Sequence, residues 1–424
     1  MGSFVRDGAR QGMTTGEPLR VTHVITGLGQ GGAEAVLFRL ATFAGQPVEH
    51  TVISLTDDGV YGERLRAAGV TVHTLGMARG RVSLSGFARL RRMLIEQRPD
   101  AVQTWMYHAD LIGGIAARLA GVRAIAWGIR NSGAHLQRSS RSARLVLKLC
   151  AMLSGQIPAA IVCAARDSAV RHEQYGYRAD RMTVIANGYD LSRYQPDAQA
   201  RQRMRLRWQV SDTTPVIGCV ARWDPLKDHG NLLGAMALLV QRYQPRADDG
   251  VGGSITTPHA EAPGHLSADI HCALIGRGMT PDNAGLRAMI ERLGLGDRVL
   301  LLGPSDDVPA VMNALDIHVL SSCAEGFPNV VAEAMACGTP CVVTDVGDAA
   351  HIVGQTAPVV PPENAQALAD GIARALEDIT VRGRDAVGGP GRARVLAEFD
   401  LAHMVAQYES VWRRISRRGA KESS

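Results

Sequence analysis

From Glu325 to Pro340 the sequence reads EGFPNVVAEAMACGTP. Its two carboxylates, Glu325 and Glu333, are eight residues apart and are joined by a Gly/Pro turn that opens a helix. We expect the first acid on the turn and the second about one turn into the helix. Between them, the start of the helix presents unpaired N–H groups and a partial positive charge. This arrangement suits a ligand with hydroxyls at both ends and phosphate in the middle, such as a nucleotide sugar.

The segment from Glu325 to Val343 resembles the retaining GT-B glycosyltransferases of glycosyltransferase family 4, the group 1 enzymes of bacterial polysaccharide type. In this sequence the second Glu is followed by a helix that ends in Gly and by a strand that begins after Pro. The resemblance implies a donor site in which Glu325 binds hydroxyls of the transferred sugar and Glu333 binds the ribose. It implies five further donor contacts around the helix start: Gly326, Phe327, Pro328, Asn329 and Val330. An isolated match would be better explained by two solvated surface acids, so the rest of the chain has to support the site.

Length and composition point to two globular domains. The chain has 424 residues, too many for one ordinary core, and 46% of them are hydrophobic. A net charge of +5, from 46 basic and 41 acidic side chains, does not demand a nucleic-acid partner. The seven cysteines are scattered and have no partnering His set, which favours free thiols in a reducing compartment over disulfides or zinc.

Neither a secretory signal nor a membrane span is expected. The first 20 residues contain charges and glycines but no apolar run. No stretch approaches the roughly 18 uninterrupted apolar residues that a spanning helix needs. The sequence therefore predicts a cytoplasmic protein.

Apolar runs of strand length alternate with segments of helical period along the whole chain. Residues 21–26, 51–55, 70–74, 101–105, 123–127, 160–163 and 183–186 form a first series of predicted strands, and a second follows at 215–221, 270–276, 299–302, 317–320 and 341–344. This rhythm is typical of doubly wound parallel sheets. The fold class is therefore α/β, with two Rossmann-like domains facing a cleft, and the resemblance to family 4 implies that this is the GT-B arrangement.

The predicted domain limits follow from these two series. Residues 1–190 form the acceptor-side domain, 191–212 a linker rich in Pro, Gln and Arg, and 213–395 the nucleotide-sugar donor domain. Residues 396–416 form a helix that crosses back to the first domain, as is typical of GT-B proteins, and 417–424 form a basic tail. Within that helix, Asp400 is a candidate cap and an apolar stripe runs from Leu401 to Ile415.

Two cations follow the first strand of the second domain. Arg222 and Lys227 are five residues apart, and they could neutralise the charge that develops on a departing diphosphate. Family members carry an Arg and a Lys at this spacing as phosphate ligands. Since no Asp-X-Asp follows a strand convincingly, we expect no metal and no cofactor, with a nucleotide-diphosphate sugar as co-substrate.

The first domain contains a glycine loop after its first strand. Gly29, Gly31 and Gly32 would let backbone N–H groups approach an anion or a sugar. The same loop also matches G-X-G-X-X-G, and Asp57 and Asp58 follow the next strand, so a dinucleotide site is a competing interpretation. In the resembled family this loop lines the cleft.

Other candidate contacts follow strands on both sides of the cleft. His108 follows one strand, and the resemblance implies a contact with the donor sugar, although a structural histidine is an equal alternative. Arg130 and Asn131 follow the next strand and could face the acceptor. In the second domain, Gly276, Gly278 and Gly303 could contact the base, but turn formation explains these glycines equally well.

A basic amphipathic segment and the basic tail could dock on anionic lipid. Arg138, Arg141, Arg144 and Lys148 interleave with apolar residues, and residues 413–421 add a second cluster. A solvated helix face is an equal alternative for the first cluster. Residues 244–267, rich in Gly, Pro, His and Ala, are predicted to be a mobile surface insert.

The leading hypothesis is a retaining, metal-independent glycosyltransferase that moves a sugar from a nucleotide-diphosphate sugar to a glycan or lipid-linked acceptor, in cell-surface polysaccharide or glycolipid biosynthesis. A GT-B-fold sugar-nucleotide epimerase is the first alternative, and a Rossmann NAD-dependent oxidoreductase is the second. A non-catalytic carbohydrate-binding or scaffold protein is the alternative outside enzymes.

Overall fold

The computed structural model describes residues 18–45, 47–78, 83–133, 141–243 and 269–421. Arg138 and the predicted insert at 244–267 lie outside these residues.

The first domain is built on a seven-stranded parallel sheet. Its strands are β1 (Leu19–Ile25), β2 (Val48–Ser54), β3 (Thr71–Thr74), β4 (Ala101–Trp105), β5 (Ile125–Ile129), β6 (Ala160–Cys163) and β7 (Met182–Val184). Its helices are α1 (Gly32–Ala41), α2 (Tyr61–Ala67), α3 (Leu84–Gln97), α4 (Tyr107–Leu119), α5 (Arg141–Leu153) and α6 (Arg166–Gln174). The strand order is β3-β2-β1-β4-β5-β6-β7, so the order reverses between β1 and β4. Ligands bind at such switch points, beyond the carboxyl ends of the strands.

The second domain repeats this plan with six parallel strands. They are β8 (Val216–Val220), β9 (His271–Ile275), β10 (Val299–Gly303), β11 (Ile317–Leu320), β12 (Cys341–Thr344) and β13 (Val359–Val360), in the order β10-β9-β8-β11-β12-β13. The helices are α7 (Ala198–Arg207), α8 (His229–Tyr243), α9 (Ala284–Arg292), α10 (Val308–Ala314), α11 (Asn329–Ala336), α12 (Ala349–Val353), α13 (Ala365–Arg382) and α14 (Arg384–Glu398). The predicted α/β fold with two Rossmann-like sheets is confirmed.

Burial explains why the central strands could be predicted from sequence. Every residue of β4, β5, β6, β11 and β12 is buried. Strands covered by helices on both faces are continuous apolar runs, which stand out from their surroundings. The edges were less readable: β7 is three residues long and begins one residue before its predicted start.

The predicted linker contains a helix that packs on the second domain. Helix α7 contacts α10, and its Arg205 is 1% exposed. The Arg205 guanidinium lies 3.2 Å from the Asp316 carboxylate, which also accepts a hydrogen bond from the backbone N–H of Val216 at the start of β8. The segment is therefore anchored to the second sheet through a buried ion pair.

The last helix, α15 (Leu401–Lys421), returns to the first domain. It begins five residues later than predicted and continues into the predicted tail. Asp400 accepts a hydrogen bond from the Ala402 N–H at its start. Its apolar stripe enters the core of the first domain through six side chains that are each 3% exposed or less: Met404, Val405, Tyr408, Val411, Trp412 and Ile415. Burial of such side chains contributes about 1.5–3 kcal/mol each.

The two chain crossings between the domains lie side by side. The backbone N–H of Tyr189 donates to Phe399 O, and the N–H of Leu401 donates to Tyr189 O, at 2.9 and 3.0 Å. The two crossings are thus joined by a single parallel β-bridge between Tyr189 and Asp400, and this bridged pair of crossings is called the hinge below.

Candidate active site

A cavity of about 710 Å³ lies between the two sheets. The first domain lines it with the loops that follow β1, β4 and β5. The second domain contributes the loops after β8, β9, β10 and β11 and the start of α11. The cavity thus lies at the carboxyl ends of both sets of strands, where the order of each sheet reverses.

The structure brings Lys227 and Glu325 together across 98 residues of sequence. The Lys227 ammonium lies 2.5 Å from Glu325 Oε1, which also accepts a hydrogen bond from the Ser322 hydroxyl at 2.7 Å. Lys227 ends a 3₁₀ turn, Pro225–Lys227, which Asp224 caps through the Leu226 N–H. Both charged side chains line the cavity and are largely shielded, with 20% and 12% of their surfaces exposed. A cation held this way needs little reorganisation to meet an anion.

Arg222 lines the cavity beside this pair and is more exposed. Its guanidinium lies 2.8 Å from the Asp224 carboxylate, and 57% of the side chain is accessible. A third cation, Arg277, also lines the cavity and was not predicted. The signal was present, since Arg277 stands between two glycines at the end of β9.

The start of α11 faces the cavity with its N–H groups uncapped by any side chain of its own cap residue, Pro328. Phe327 anchors the turn, since it is 7% exposed and its ring contacts that of Phe399 edge to face at 5.8 Å. Gly326 packs against the first domain: an added Cβ would lie 3.2 Å from Ser132 N. Val330 lines the cavity from the first turn.

Asn329 ties this helix start to the hinge, a role that the sequence did not indicate. Its Oδ1 accepts hydrogen bonds from the Asn187 amide at 2.8 Å and from the Tyr189 hydroxyl at 2.7 Å. Asn187 in turn accepts from Arg130. Helix α11 is therefore fixed to both the hinge and the first domain.

Glu333 lies on α11 but is not among the residues that line the cavity. Burial raises the pKa of its carboxyl, while Arg39, Arg193 and Tyr194 act in the opposite direction. The Glu333 carboxyl therefore lies near Arg39, Arg193 and Tyr194 rather than in the cavity. Its role as a ribose ligand stays a prediction. For this contact to form, either the Glu333 side chain adopts another rotamer or the ribose lies at the edge of the cavity.

The glycine loop faces α11. Gly32 lines the cavity, and an added Cβ would lie 3.7 Å from Asn329 Nδ2. Gly31 caps α1 with an extended backbone, and Gly29 has open space around it. Of the two acids that a dinucleotide site would use, Asp58 pairs with Arg66 at 2.8 Å.

The predicted acceptor residues Arg130 and Asn131 both line the cavity. Arg130 donates to the Tyr408 hydroxyl at 3.1 Å and lies over the Trp105 ring at 5.5 Å. Asn131 Oδ1 accepts from the Tyr107 hydroxyl at 2.6 Å.

His108 is partly buried in the first turn of α4 and does not line the cavity, although Met106 does. Its contact with a donor sugar stays a prediction. Asp110, in the same turn, is fully buried: it accepts from Thr104 at 2.5 Å, and burial raises its pKa to about 7.

Among the three glycines predicted at the base, Gly276 lines the cavity. Its φ of 141° and its approach to the backbone of Ala221, 2.0 Å from an added Cβ, exclude a larger residue. Gly278 packs under Trp223, and Gly303 takes a φ of 66° at the end of β10. Turn formation therefore accounts for these two.

Within the described ranges, no group of three His, Cys, Asp or Glu side chains could hold a metal ion. None of the seven cysteines forms a disulfide. No described helix is both long and apolar enough to cross a bilayer.

The fold and cleft define the class: this is a GT-B protein. HepE of Anabaena, solved with UDP, superimposes with a TM-score of 0.77 over 93% of this chain and all of that one, at 22% identity. Sucrose-phosphate synthase from Thermosynechococcus elongatus gives a TM-score of 0.73 over 94% and 99% of the two chains, at 18% identity.

The sequence defines the family. Residues 214–378 match the model for glycosyl transferases group 1, and residues 30–193 match that for glycosyltransferase family 4. The chain belongs to this family of glycosyltransferases, and it is an enzyme of transferase type that uses a nucleotide-sugar donor.

Relatives agree with this assignment. The chain is 24% identical to the glycosyltransferase EpsF of Bacillus subtilis, over 77% of this chain and 79% of that protein. It is 31% identical to the D-inositol 3-phosphate glycosyltransferase of Corynebacterium glutamicum, over 56% and 53%. It is 23% identical to the UDP-Gal:alpha-D-GlcNAc-diphosphoundecaprenol alpha-1,3-galactosyltransferase of Escherichia coli, over 61% and 60%. The latter two alignments span little more than half of those proteins.

Proposed function

We propose that the enzyme transfers a sugar from a UDP-sugar to a glycan or lipid-linked acceptor, with retention of configuration and without a metal ion, in the synthesis of a cell-surface polysaccharide or glycolipid. The observation that carries the proposal is the Lys227–Glu325 pair, which is preformed at 2.5 Å in the cavity beside the uncapped start of α11. It combines a cation for phosphate with an acceptor of sugar hydroxyls.

In this proposal the diphosphate lies between Lys227, Arg222 and the N–H groups of α11. As the bond between the anomeric carbon and the phosphate oxygen breaks, these donors stabilise the charge on the leaving group. Glu325 holds hydroxyls of the sugar, so that the same pair positions both products of the cleavage. The acceptor oxygen bonds to the anomeric carbon from the face that the diphosphate leaves, and its proton passes to the departing phosphate oxygen. This front-face course gives retention without a covalent intermediate.

Two comparisons support UDP and a lipid-linked or glycan acceptor. HepE was solved with UDP and with UDP-glucose, and the Escherichia coli relative is described as acting on a diphosphoundecaprenol-linked sugar. Arg222, Lys227 and Arg277 line one cavity, and the N–H donors of three cationic side chains on one face support diphosphate binding without a metal.

Helix α5 supports action at the inner face of the cytoplasmic membrane. Its cations Arg141, Arg144 and Lys148 are exposed, and they surround Leu145 and Met152, whose exposed fractions are 58% and 73%. Large apolar side chains among cations suit the headgroup region of an anionic bilayer. Binding to phosphatidylglycerol vesicles but not to phosphatidylcholine vesicles, weakened by Lys148→Glu, is the expected result. Equal binding to both would contradict this part of the proposal.

The reaction itself is tested with a panel of UDP-sugars and an extract of undecaprenyl-diphosphate-linked acceptors. We expect release of UDP together with a new glycoside that retains the anomeric configuration of the donor, in the presence of EDTA. Epimerised UDP-sugar without a glycoside would instead support the epimerase alternative.

A further inference from the structure

The turn after β12 makes a contact with the first domain that none of the assigned roles explains. Asp348 lies in this turn, at the start of α12, and is 3% exposed. Its carboxylate does not cap α12. Instead, its two oxygens accept hydrogen bonds from the backbone N–H groups of Arg166 and Asp167, at 2.8 and 3.0 Å.

These two N–H groups belong to the first turn of α6, in the opposite domain. The first N–H groups of a helix have no partner within it, and the cap residue of α6 is Ala165, which offers no side-chain acceptor. The cap of α6 thus comes from across the cleft. Hydrogen bonds to a carboxylate are stronger than those between neutral groups, and the helix dipole favours the negative charge.

The same turn also holds the loop from Glu325 to Pro328, which is called the donor loop below. The N–H of Asp348 donates to Gly326 O at 2.9 Å. Gly347, with a φ of 53°, lies so close to this loop that an added Cβ would be 2.4 Å from Gly326 O and 2.6 Å from Glu325 O. The loop that carries Glu325 is therefore held, through Gly326, by the turn that reaches α6.

The other side of the donor loop contacts the first domain. An added Cβ on Gly326 would approach Ser132 N at 3.2 Å and the carbonyl oxygen of Arg130 at 3.7 Å. The loop is thus enclosed between the turn at 347–348 and the segment after β5, and any separation of the domains must release Asp348 from α6.

We propose that Asp348 is a positioning residue that couples closure of the cleft to the placement of Glu325. When the domains meet, its carboxylate caps α6 while its backbone N–H holds the donor loop, so the sugar-binding acid and the acceptor-side residues reach their working distance together. When the domains separate, the cap is lost and the loop is no longer fixed against the first domain. This inference rests on the proposed function for its catalytic consequence, but the contact itself can be tested without any substrate.

Hydrogen exchange tests the contact. In Asp348→Ala, the amides of Arg166 and Asp167 are expected to exchange about tenfold faster or more than in the wild type, because a charge-assisted hydrogen bond is removed from each. Asp348→Asn keeps one acceptor oxygen and is expected to give an intermediate rate. Wild-type exchange at both amides in Asp348→Ala would overturn the proposal.

Kinetics test the consequence. Turnover of the donor by Asp348→Ala is expected to fall by about 10- to 100-fold in kcat, while its Kd for UDP stays within about threefold of the wild type, a difference under 1 kcal/mol. The matched control is Asp197→Ala, which removes a cap from α7 within the second domain, where Asp197 accepts from Ala200 N at 2.9 Å. The control is expected to lose stability but not kcat. If Asp348→Ala keeps the kcat of the control, the positioning role is wrong. If wild-type enzyme does not bind UDP, the proposed donor is wrong, and hydrogen exchange still decides whether Asp348 caps α6.

Discussion

The two faces of the cleft are built in different ways. On the donor face, Lys227, Glu325 and the start of α11 belong to one domain and lie on short turns directly after strands. On the opposite face, Arg130 is held by Trp105 and by Tyr408, and Tyr408 comes from α15 at the other end of the chain. The donor face therefore carries its own charges, whereas the acceptor face depends on a helix that has to return and dock. Variants that change the stability of the fold without changing donor binding, or the reverse, test this difference between the two faces.

Trp412→Ala is expected to have the largest effect, and to act on the acceptor side. The indole is fully buried in the core of the first domain and donates to Gln103 Oε1 at 3.1 Å. Its loss is expected to lower the free energy of unfolding by about 3–5 kcal/mol, measured by chemical denaturation. UDP affinity, measured by calorimetry below the transition, is expected to stay close to wild type. Leu206→Ala, at a side chain 71% exposed, is the control. Loss of UDP binding in the folded Trp412 variant would show that the donor face is not independent.

Lys227→Ala is expected to have the largest effect on the reaction. Removal of the cation leaves Glu325 without its partner and the leaving group without a donor. A fall in kcat of about 10²- to 10³-fold is expected, as for the loss of one preorganised charge-stabilising group. Arg89→Ala, which removes an exposed cation from α3, is expected to leave the rate unchanged. Equal rates for both variants would remove Lys227 from the mechanism.

Glu333→Gln distinguishes two roles for Glu333: binding of the ribose, or contacts at the hinge alone. Burial raises the pKa of this carboxyl, so the ionised form is disfavoured in the folded protein, and stability falls as pH rises above its ordinary value of 4.5. The neutral amide is therefore expected to raise the melting temperature at pH 7. If Glu333 also binds the ribose, UDP affinity falls by about tenfold, the value of a hydrogen bond to a charged group. A more stable variant with unchanged UDP affinity would assign Glu333 to the hinge alone.

Low pH is expected to reduce the free energy of unfolding of the first domain, because a buried histidine pair has to be protonated. His23 donates to His50 Nδ1 at 2.9 Å and accepts from the Trp105 indole, and both rings contact Trp412. Burial lowers the pKa of His50 to about 4 and that of His23 well below its ordinary 6.5. Both folded-state values lie below the unfolded value, so stability is intact above pH 6.5 and is lost as pH falls toward 4.

His50→Gln keeps an acceptor for His23 and removes one titrating ring. The slope of unfolding free energy against pH, measured between pH 6.5 and 4, is expected to decrease by about 1.4 kcal/mol per pH unit. Leu206→Ala, which removes an exposed side chain that does not titrate, is expected to keep the wild-type slope. The same slope in both variants would exclude the pair as the cause.

The contrast between the faces also explains what the sequence could predict. Glu325, Arg222 and Lys227 could be placed at the cleft from sequence because each lies on a turn that follows a strand, and all three line the cavity. Their roles were predicted from the family resemblance. The hydrogen bond between Trp412 and Gln103 joins residues 309 positions apart. The hydrogen bond from the Arg166 N–H to Asp348 joins residues 182 positions apart. No periodicity or spacing encodes such contacts, since they arise only when the two domains and the returning helix assemble. The orientation of Glu333 was equally inaccessible, because helical spacing places a residue on a face but does not choose between the cavity and the hinge.

Calorimetric titration of the wild type and of Lys227→Ala with UDP, in the presence of EDTA, shows whether Lys227 holds a nucleotide diphosphate in this cleft. The proposal predicts one saturable UDP site in the wild type and a marked loss of affinity in the variant, since the diphosphate loses its preformed cation. Absence of UDP binding by the wild type, or equal affinity in both proteins, would contradict the assignment of this cleft to a nucleotide diphosphate held by Lys227.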